Sequence, residues 1–440
     1  MRRVLLVVAL LLGLGVAVTF ALRPDRAAPD AKPEAVDGLE ALFEEAPDLD
    51  PALQARLWQW NLDAKGWPSG WSTDQDEGWY LAGKPKPLAG LVEEHERLRA
   101  GMDELSSMLD TGRAYLSSIG WLREALAEER DAFDGVAIRI ASGAKVYAAA
   151  RWYAYEAMTA DDPQPALAYL TALHEALDHG GSIHDHAFHG VVGRIRDRTV
   201  LRLLYRSTVP EMFFEDWAGE TSGQIDRLAQ SVRQDRLLYT LTVAEDLAEE
   251  RHLDWDVDLE LGERLRWWWQ GQGDVAAWLN LCASFEDHLE GVLDAETIEK
   301  LDAERVARRG RPYAMDAFHA AILEAAVVRD ADHRLPRVAA YALRHARRHG
   351  TPPRDAAHLR EIMGEAAGLL DAGWFRLALT YEADGEGRFT VRIDPDTPMP
   401  DLVTFEGRNR IRESSLAPVR RDVPLYWSGS HQLTIRTPRP

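Results

Sequence analysis

The sequence predicts a mainly α-helical protein: a multi-helix body, built as a helical bundle or as stacked helix pairs, with a small C-terminal β hairpin or sheet and an N-terminal transmembrane helix. Three observations predict this fold class. Apolar residues recur at helical spacing through most of the chain, this spacing changes to a period of two near Gly373, and an uncharged run stands at the N-terminus. The predicted domains are an anchor (1–22), a linker (23–50), a helical body (51–370) and a β-rich tail (371–440).

The N-terminal run is long enough to be a membrane anchor. Arg2 and Arg3 precede uncharged residues from Val4 to Leu22, close to the ~20 residues that a helix needs to cross a bilayer. Because the apolar core of a cleaved signal peptide is usually about 7–15 residues long, we expect an uncleaved signal-anchor. The two arginines favour a cytoplasmic N-terminus. The body then lies in the periplasm or outside the cell; secretion after cleavage near Ala21 is the alternative.

Apolar residues spaced three or four apart predict the helices of the body. Two predicted buried faces are those of Leu91, Leu98, Met102, Leu105 and Leu109, and of Leu167, Leu170, His174 and Leu177. Ser182 and Asp185 form a capping-box pattern, in which a hydroxyl and an acid three residues later bind the first free amides of a new helix. The segment from Ala320 to His349 predicts one or two further helices that end at Gly350.

The β-rich tail is predicted from alternation. Residues from Phe375 to Tyr381 alternate with a period of two, and residues from Phe389 to Ile393 do so again. Between them, Asp384–Gly387 has the composition of a turn, so the two segments predict a hairpin. Residues from His431 to Thr437 predict a further strand.

Composition and charge exclude several classes of function. The net charge of −21 argues against general nucleic-acid binding, which needs clustered positive charge, and a single cysteine excludes a disulfide scaffold or a cysteine-rich zinc module. The charge is uneven: residues 301–440 hold 22 Lys+Arg and 19 Asp+Glu, a net of +3, so the first 300 residues carry −24. Only the C-terminal part of the chain can therefore attract an anionic partner.

Five histidines lie within 16 residues, from His174 to His189, with Asp178 and Asp185 among them. The candidate metal ligands are His174, His179, Asp185, His186 and His189. Imidazole and carboxylate groups bind Zn, Fe, Ni and Mn, so this cluster predicts a divalent transition-metal site, and no other cofactor is predicted. At 100° per residue, Asp185, His186 and His189 lie opposite the apolar side of their helix. The alternative is a solvated polar face, with His174 in the core and His179 at a helix C-terminus.

Five tryptophans define a second candidate site: Trp58, Trp60, Trp67, Trp71 and Trp79. Aromatic faces beside the amides and acids of this stretch can bind sugar rings, and envelope glycan would be at hand. Residues from Gly66 to Trp71 resemble a loop, where binding residues often lie. The alternative is packing of these tryptophans, each of which buries about 150–250 Å².

Motifs of known enzymes are incomplete in this chain. Ser142 and Lys145 have the S-x-x-K spacing of serine acyl-enzymes, but no K-T-G motif follows, and the chain has neither a P-loop nor a G-x-S-x-G motif. We therefore favour a membrane-anchored, envelope-facing interaction or scaffold protein that contacts the membrane and envelope proteins or glycan. The alternatives are a metal-dependent hydrolase or oxidoreductase at the histidine cluster and a glycan-binding module at the tryptophans.

The order of anchor, long helical run, and short β tail resembles that of a group of membrane-anchored helical proteins from planctomycete-type bacteria. The segment from Pro336 to Pro353 (PRVAAYALRHARRHGTPP) also resembles the segment that precedes the β region of pseudopilin-like proteins. Those families usually have an aromatic residue and Tyr-Pro where this chain has Arg348, His349, Gly350, Thr351 and Pro352. The resemblance covers the anchor and the last third of the chain, and it implies no known activity or catalytic residue.

Overall fold

The structure is a computed structural model that describes part of the chain, including parts of the helical body and the C-terminal sheet. The described residues are 41, 50–62, 89–116, 132–177, 183–206, 211–219, 230–231, 233–234, 237, 315–371, 377–397, 409, 411–413, 415–416, 425–428 and 431–437. This part is mainly helical and ends in a small antiparallel four-stranded sheet, as the sequence predicts. The run from Val4 to Leu22 lies outside the described residues, and none of the described helices is both long enough and apolar enough to cross a membrane.

The described elements follow one another as helices and then strands. The helices are α1 (Pro51–Leu62), α2 (Ala89–Leu109), α3 (Ala132–Thr159), α4 (Gln164–Ala176), α5 (Ile183–Arg206), α6 (Glu211–Gly219), α7 (Met315–His349) and α8 (Ala356–Met363), followed by a 3-10 helix (Gly364–Leu370). The strands are β1 (Leu379–Ala383), β2 (Arg388–Ile393), β3 (Leu425–Ser428) and β4 (Gln432–Arg436). The predicted helix from Ala320 to His349 is therefore confirmed as one continuous helix that also contains Pro336.

Two apolar cores meet along α5. The first core joins α1, α2, α3 and α4, and it contains Leu98, Met102, Leu105 and Leu109 of one predicted face and Leu170 and Leu177 of the other. Leu167 of that second face is buried in the other core, and the side chain of Leu91 lies outside the described residues. The second joins α6, α7 and α8 to the sheet, with Val338 and Phe389 among its members. Helix α5 packs against α3, α4 and α7 and contributes residues to both cores. It therefore links the N-terminal helices to the C-terminal helix-and-sheet layer.

The sheet has the strand order β1-β2-β4-β3, and every neighbouring pair is antiparallel. The hairpin of β1 and β2 and the late strand β4 confirm the alternation in the sequence. Gly385 and Gly387 have φ angles of 73° and 82° in the turn, which favours glycine there. Thr390 and Thr434 face each other across β2 and β4, with their hydroxyl oxygens 3.0 Å apart. Helix α7 covers β2 and β4, so one face of the sheet closes the second core.

Candidate functional site

The interface of α5 with α7 is built from buried charged residues. Among the side chains of α7 that the structure describes, the buried charged or polar residues are Arg329, Asp330, Asp332, His333, Arg334 and Arg337. Asp197 on α5 is 2% exposed, and Arg337 is completely buried. Because an unpaired buried charge is very unfavourable, such a set is stable only if its members bind one another. We call Asp197, Arg196, Trp217, His333 and Arg337 the Asp197 network.

Both carboxylate oxygens of Asp197 accept hydrogen bonds. Arg337 Nη1 donates to Oδ2 at 2.7 Å, and Nδ1 of His333 lies 3.5 Å from the same oxygen. Trp217 Nε1 donates to Oδ1 at 2.7 Å, and Nε and Nη2 of Arg196 donate to Oδ1 at 3.3 and 3.2 Å. Three helices, α5, α6 and α7, therefore converge on one carboxylate.

Arg337 extends the network to the backbone. Its Nε donates to the carbonyl of Trp217 at 3.1 Å, and its Nη1 also donates to the carbonyl of His333 at 2.8 Å. The guanidinium carbon lies 4.7 Å from the centroid of the Trp217 ring, within the range of a cation–π contact. The planar fork of arginine suits this use, since it donates in several fixed directions at once.

The charge state of Asp197 follows from these neighbours. Burial by itself raises the pKa of the carboxyl, but Arg337, Arg196 and His333 together outweigh burial and hold the pKa well below its usual range. Asp197 is therefore ionised at neutral pH. An efficient general base has a pKa near the working pH, so this carboxylate is suited to holding helices together rather than to accepting a proton.

Other buried arginines on α7 tie neighbouring elements to it. Arg329 Nη1 donates to the carbonyl of His186 at 2.8 Å, and Arg194 pairs with Asp332 at 2.8 Å. Gly190 makes this approach possible, because a β-carbon there would overlap the Arg329 side chain. Burial lowers the pKa of Arg329 to about 10, with a further lowering from Arg194 and an opposing effect of Asp332.

Arg334 joins α7 to the segment that leads into the sheet. Its guanidinium pairs with Asp330 one turn earlier at 2.8 Å. It also donates to the carbonyls of Leu369, Asp371 and Leu377, at 3.2, 2.6 and 2.6 Å. One side chain thus anchors the end of the 3-10 helix and the start of the tail.

The structure brings together part of the predicted histidine cluster. His174 on α4 and His189 on α5 are both buried, and their ring centroids lie 3.9 Å apart. Nη1 of Arg196 lies 3.1 Å from Nδ1 of His174; because a guanidinium only donates, we assign this nitrogen as an acceptor and His174 as neutral. Gly193 leaves room for the ring, since a β-carbon there would lie 2.8 Å from Nε2 of His174.

The alternative to the metal site, a solvated polar face, is wrong for His186 and His189, whereas His174 is buried as that alternative expects. His186 and His189 are 3% and 1% exposed, because α4 and α7 cover this side of α5. His179 and the side chain of Asp185 lie outside the described residues. Among the residues that the structure describes, no three histidine, cysteine or acidic side chains are arranged to hold a metal ion. The predicted metal site stays a prediction, and the Arg196 guanidinium beside His174 disfavours a cation at that nitrogen.

The tryptophan site lies mostly outside the described residues, which exclude Trp67, Trp71, Trp79 and the side chain of Trp58. The remaining member, Trp60, is buried in the first core and donates from Nε1 to the carbonyl of Gly101 at 2.8 Å. The ammonium of Lys145 lies 4.3 Å from the centroid of its ring. Trp60 therefore packs, and glycan binding by the other tryptophans stays a prediction.

The sequence holds a signal for the Asp197 network that periodicity alone does not reveal. Asp330 with Arg334, and His333 with Arg337, are spaced four apart on one helix, where ordinary exposed pairs also occur. What distinguishes α7 from an ordinary exposed helix is that its charged residues are distributed around the helix axis, whereas the positions between them hold mostly small apolar residues.

No family model, curated protein or solved structure matches the chain.

Proposed function

We propose that this protein is a membrane-anchored, envelope-facing helical scaffold, whose body is a rigid platform for other envelope components. The Asp197 network is the observation that carries the proposal. It places buried charges where they fix α5, α6 and α7 to one another, with the carboxylate oxygens occupied by donors from the protein itself. Such use of charge favours one fixed arrangement of helices.

The electrostatics favour a scaffold over catalysis at this network. The pKa of Asp197 is held well below its usual range by Arg337, Arg196 and His333, although burial opposes them, so the carboxylate neither takes up nor releases a proton near neutral pH. Arg334 and Arg337 donate to backbone carbonyls of elements that must stay in place. These contacts support a structural role for the most heavily charged part of the described core.

The proposed location rests on the uncharged run from Val4 to Leu22 and the Pro- and Ala-containing linker behind it. The single cysteine of the chain offers a direct test, because Cys282→Ser gives a cysteine-free background. Leu416 is 52% exposed, so Leu416→Cys in this background adds a reactive thiol at the surface. An impermeant maleimide should label it in cells whose outer layer is permeabilised but whose inner membrane is intact.

The protein should also fractionate with membranes. The cysteine-free chain is the control for non-specific labelling. Labelling that appears only after the inner membrane is lysed contradicts an exported body, and a protein found only in the soluble fraction contradicts the anchor.

The platform itself is tested by site-specific photo-crosslinking in cells. A photoreactive amino acid at exposed Asp216, on α6 beside the network, and at Leu416 samples two surfaces. A scaffold predicts discrete adducts of defined mass, and the same adducts should weaken when Asp197→Asn loosens the platform. The absence of adducts from a panel of exposed positions contradicts the scaffold.

A metal-dependent enzyme is the second candidate, because His174 and His189 are in ring contact and His186 is buried on the same helix. Elemental analysis of the full chain, purified in detergent without a histidine tag, tests it. Near-stoichiometric Zn, Fe, Mn or Ni that is lost in His189→Gln supports the metal site. A metal-free protein after reconstitution contradicts it.

A further inference from the structure

Three histidines meet where α7 ends and α8 begins. His345 and His349 lie one turn apart near the end of α7, with ring centroids 4.3 Å apart. His358, in the first turn of α8, packs edge-on against His345 with the centroids 5.0 Å apart. None of these residues belongs to the histidine cluster or to the Asp197 network. We call them the junction histidines.

The hydrogen bonds at this junction suit neutral imidazoles. The backbone N–H of Arg354 donates to Nδ1 of His358 at 3.3 Å, so this nitrogen acts as an acceptor. The backbone N–H of His358 donates to the Asp355 carboxylate at 2.8 Å, which caps α8. Protonation of His358 would place an N–H against the N–H of Arg354.

Among the described residues, charges of both signs surround this junction, and exposed Glu361 lies three residues after His358 on α8. On the α7 side, Arg344 pairs with Glu215 of α6 at 2.9 Å, and Arg348 lies in the same turn as the histidines. On the α8 side, Arg354 pairs with Asp355 at 3.3 Å.

Two tyrosines and one more arginine lie near the α7 side of the junction. Tyr341 lies one turn before His345, and burial, opposed by Arg344, raises its pKa. Tyr205 of α5 faces Arg347, whose pKa is lowered by burial. Neither tyrosine is ionised near neutral pH, so the anions among these described neighbours are Glu215 and Asp355, which pair with arginines, and exposed Glu361.

The effect of protonation on the junction has a definite sign. Burial, with smaller contributions from His349 and His358, lowers the pKa of His345. A histidine pKa that is lowered by folding means that the folded junction binds fewer protons than the open one. The stability of the junction is therefore complete above the ordinary histidine pKa of about 6.5 and falls as the pH drops through that value.

We propose that His345, His349 and His358 form a proton-sensitive latch that holds the start of α8 on the end of α7 and opens on acidification. Opening would release the connection at residues 350–355. Tyr381 of β1 donates to the carbonyl of Pro353 at 2.7 Å, so the connection also contacts the sheet. Acid then changes how the edge of the sheet is held on the helical body.

Hydrogen exchange of the full-length protein in detergent tests the latch. Exchange is measured at pH 7.5 and 5.5 and corrected for the intrinsic effect of pH. Peptides that cover 350–363 should lose protection at pH 5.5, whereas peptides from β2 should stay protected. For each unit by which the closed junction lowers a histidine pKa, the equilibrium constant for opening rises about tenfold once the pH lies below the pKa of both the closed and the open state.

Variants of the junction histidines distinguish the effect of their charge from the effect of their side-chain shape. In the His345→Gln, His349→Gln, His358→Gln triple variant the acid response should disappear, and His345→Lys should open the junction at pH 7.5 while His345→Gln does not. Equal protection of 350–363 at both pH values in the unmodified protein overturns the latch, as does a full acid response in the triple variant. If circular dichroism shows the triple variant unfolded, exposed His349→Gln decides: a weaker acid response supports the latch, and an unchanged response overturns it.

Discussion

Asp197 is the residue where the local and long-range contacts of the described core meet. Its carboxylate binds its sequence neighbour Arg196, Trp217 on α6, and Arg337, which lies 140 residues further along the chain. A buried carboxylate and its several donors stabilise one another, but removal of the carboxylate leaves the buried donors without a partner. Single changes within the set should therefore be far more damaging than the same change at the surface.

We expect Asp197→Asn to lower the free energy of unfolding by about 3–5 kcal/mol at pH 7, because it leaves buried arginine charge uncompensated. The neighbouring arginines and His333 lower the pKa of Asp197 despite its burial, so its contribution is present above the ordinary carboxyl value of about 3.9. The difference between the two proteins should shrink as the pH falls below that value, toward the folded-state pKa. Urea unfolding at a series of pH values measures it.

Asp216→Asn, at an exposed position of α6, is the control for this change and should stay within about 0.5 kcal/mol of the original protein. A loss at Asp197→Asn no larger than in this control would mean that the carboxylate does not stabilise the core.

A second prediction for a single residue concerns Gly193. In an ordinary helix interior, replacing glycine by alanine stabilises by about 1 kcal/mol. Here the added β-carbon would lie 2.8 Å from Nε2 of buried His174, whose ring is held by His189 and Arg196. We expect Gly193→Ala to cost about 1–3 kcal/mol instead, measured by thermal unfolding. Gly368→Ala, where nothing lies within 4 Å of the new atom, is the control and should be neutral or stabilising.

Helix α7 shows why the elements were easier to predict than their contacts. Its C-terminal end follows from Gly350, whose φ of 79° suits a helix C-terminus, whereas the helix begins at Met315, five residues before the predicted start at Ala320. Pro336 does not stop the helix, although it lacks the N–H that would bind the carbonyl four residues earlier. The next carbonyl, that of His333, accepts from the Arg337 side chain. Side-chain donors thus help to hold the helix at its proline.

Helix α8 depends on its cap. The Asp355 carboxylate accepts from the backbone N–H of His358 at 2.8 Å, in a β-region conformation typical of an N-cap. We expect Asp355→Ala to cost about 1 kcal/mol and to increase exchange of the α8 amides. Exposed Glu361→Ala on the same helix is the control and should change stability by less than about 0.5 kcal/mol. Equal effects of the two changes would contradict the capping role.

At the scale of the whole molecule, the sequence predicted the secondary structure well and the core poorly. Periods of 3.6 and two residues located α2, α4, α7 and the β1–β2 hairpin, because burial of one face leaves a regular trace. Strand β3, only four residues long, left too short a trace. The position of His186 and His189 opposite the apolar side of their helix leaves their burial open, because a single helix does not reveal how many neighbours surround it.

The Asp197 network escaped prediction for the same physical reason. A charged residue is normally exposed, so a run such as that from Arg329 to Arg337 suggests a solvated helix face. Burial of these charges becomes favourable only when α5 and α6 pack against α7. The residues of α5 and α6 that bind Arg337 are more than 100 residues away from it in the sequence. The contacts between distant helices that form the two cores along α5 therefore cannot be predicted from local sequence patterns.

A double-mutant cycle on Asp197 and Arg337 tests most directly whether this network holds the helices together. The variants are Asp197→Leu, Arg337→Met and their combination, with the exposed pair of Arg360 and Asp371 as the reference cycle. Each single change should cost about 3–5 kcal/mol, and the double variant should cost clearly less than their sum, because the Asp197–Arg337 attraction is lost only once and the buried Arg337 charge is removed together with its carboxylate. The reference pair should couple by at most about 1 kcal/mol. Additive costs at Asp197 and Arg337, within about 0.5 kcal/mol, would contradict the account.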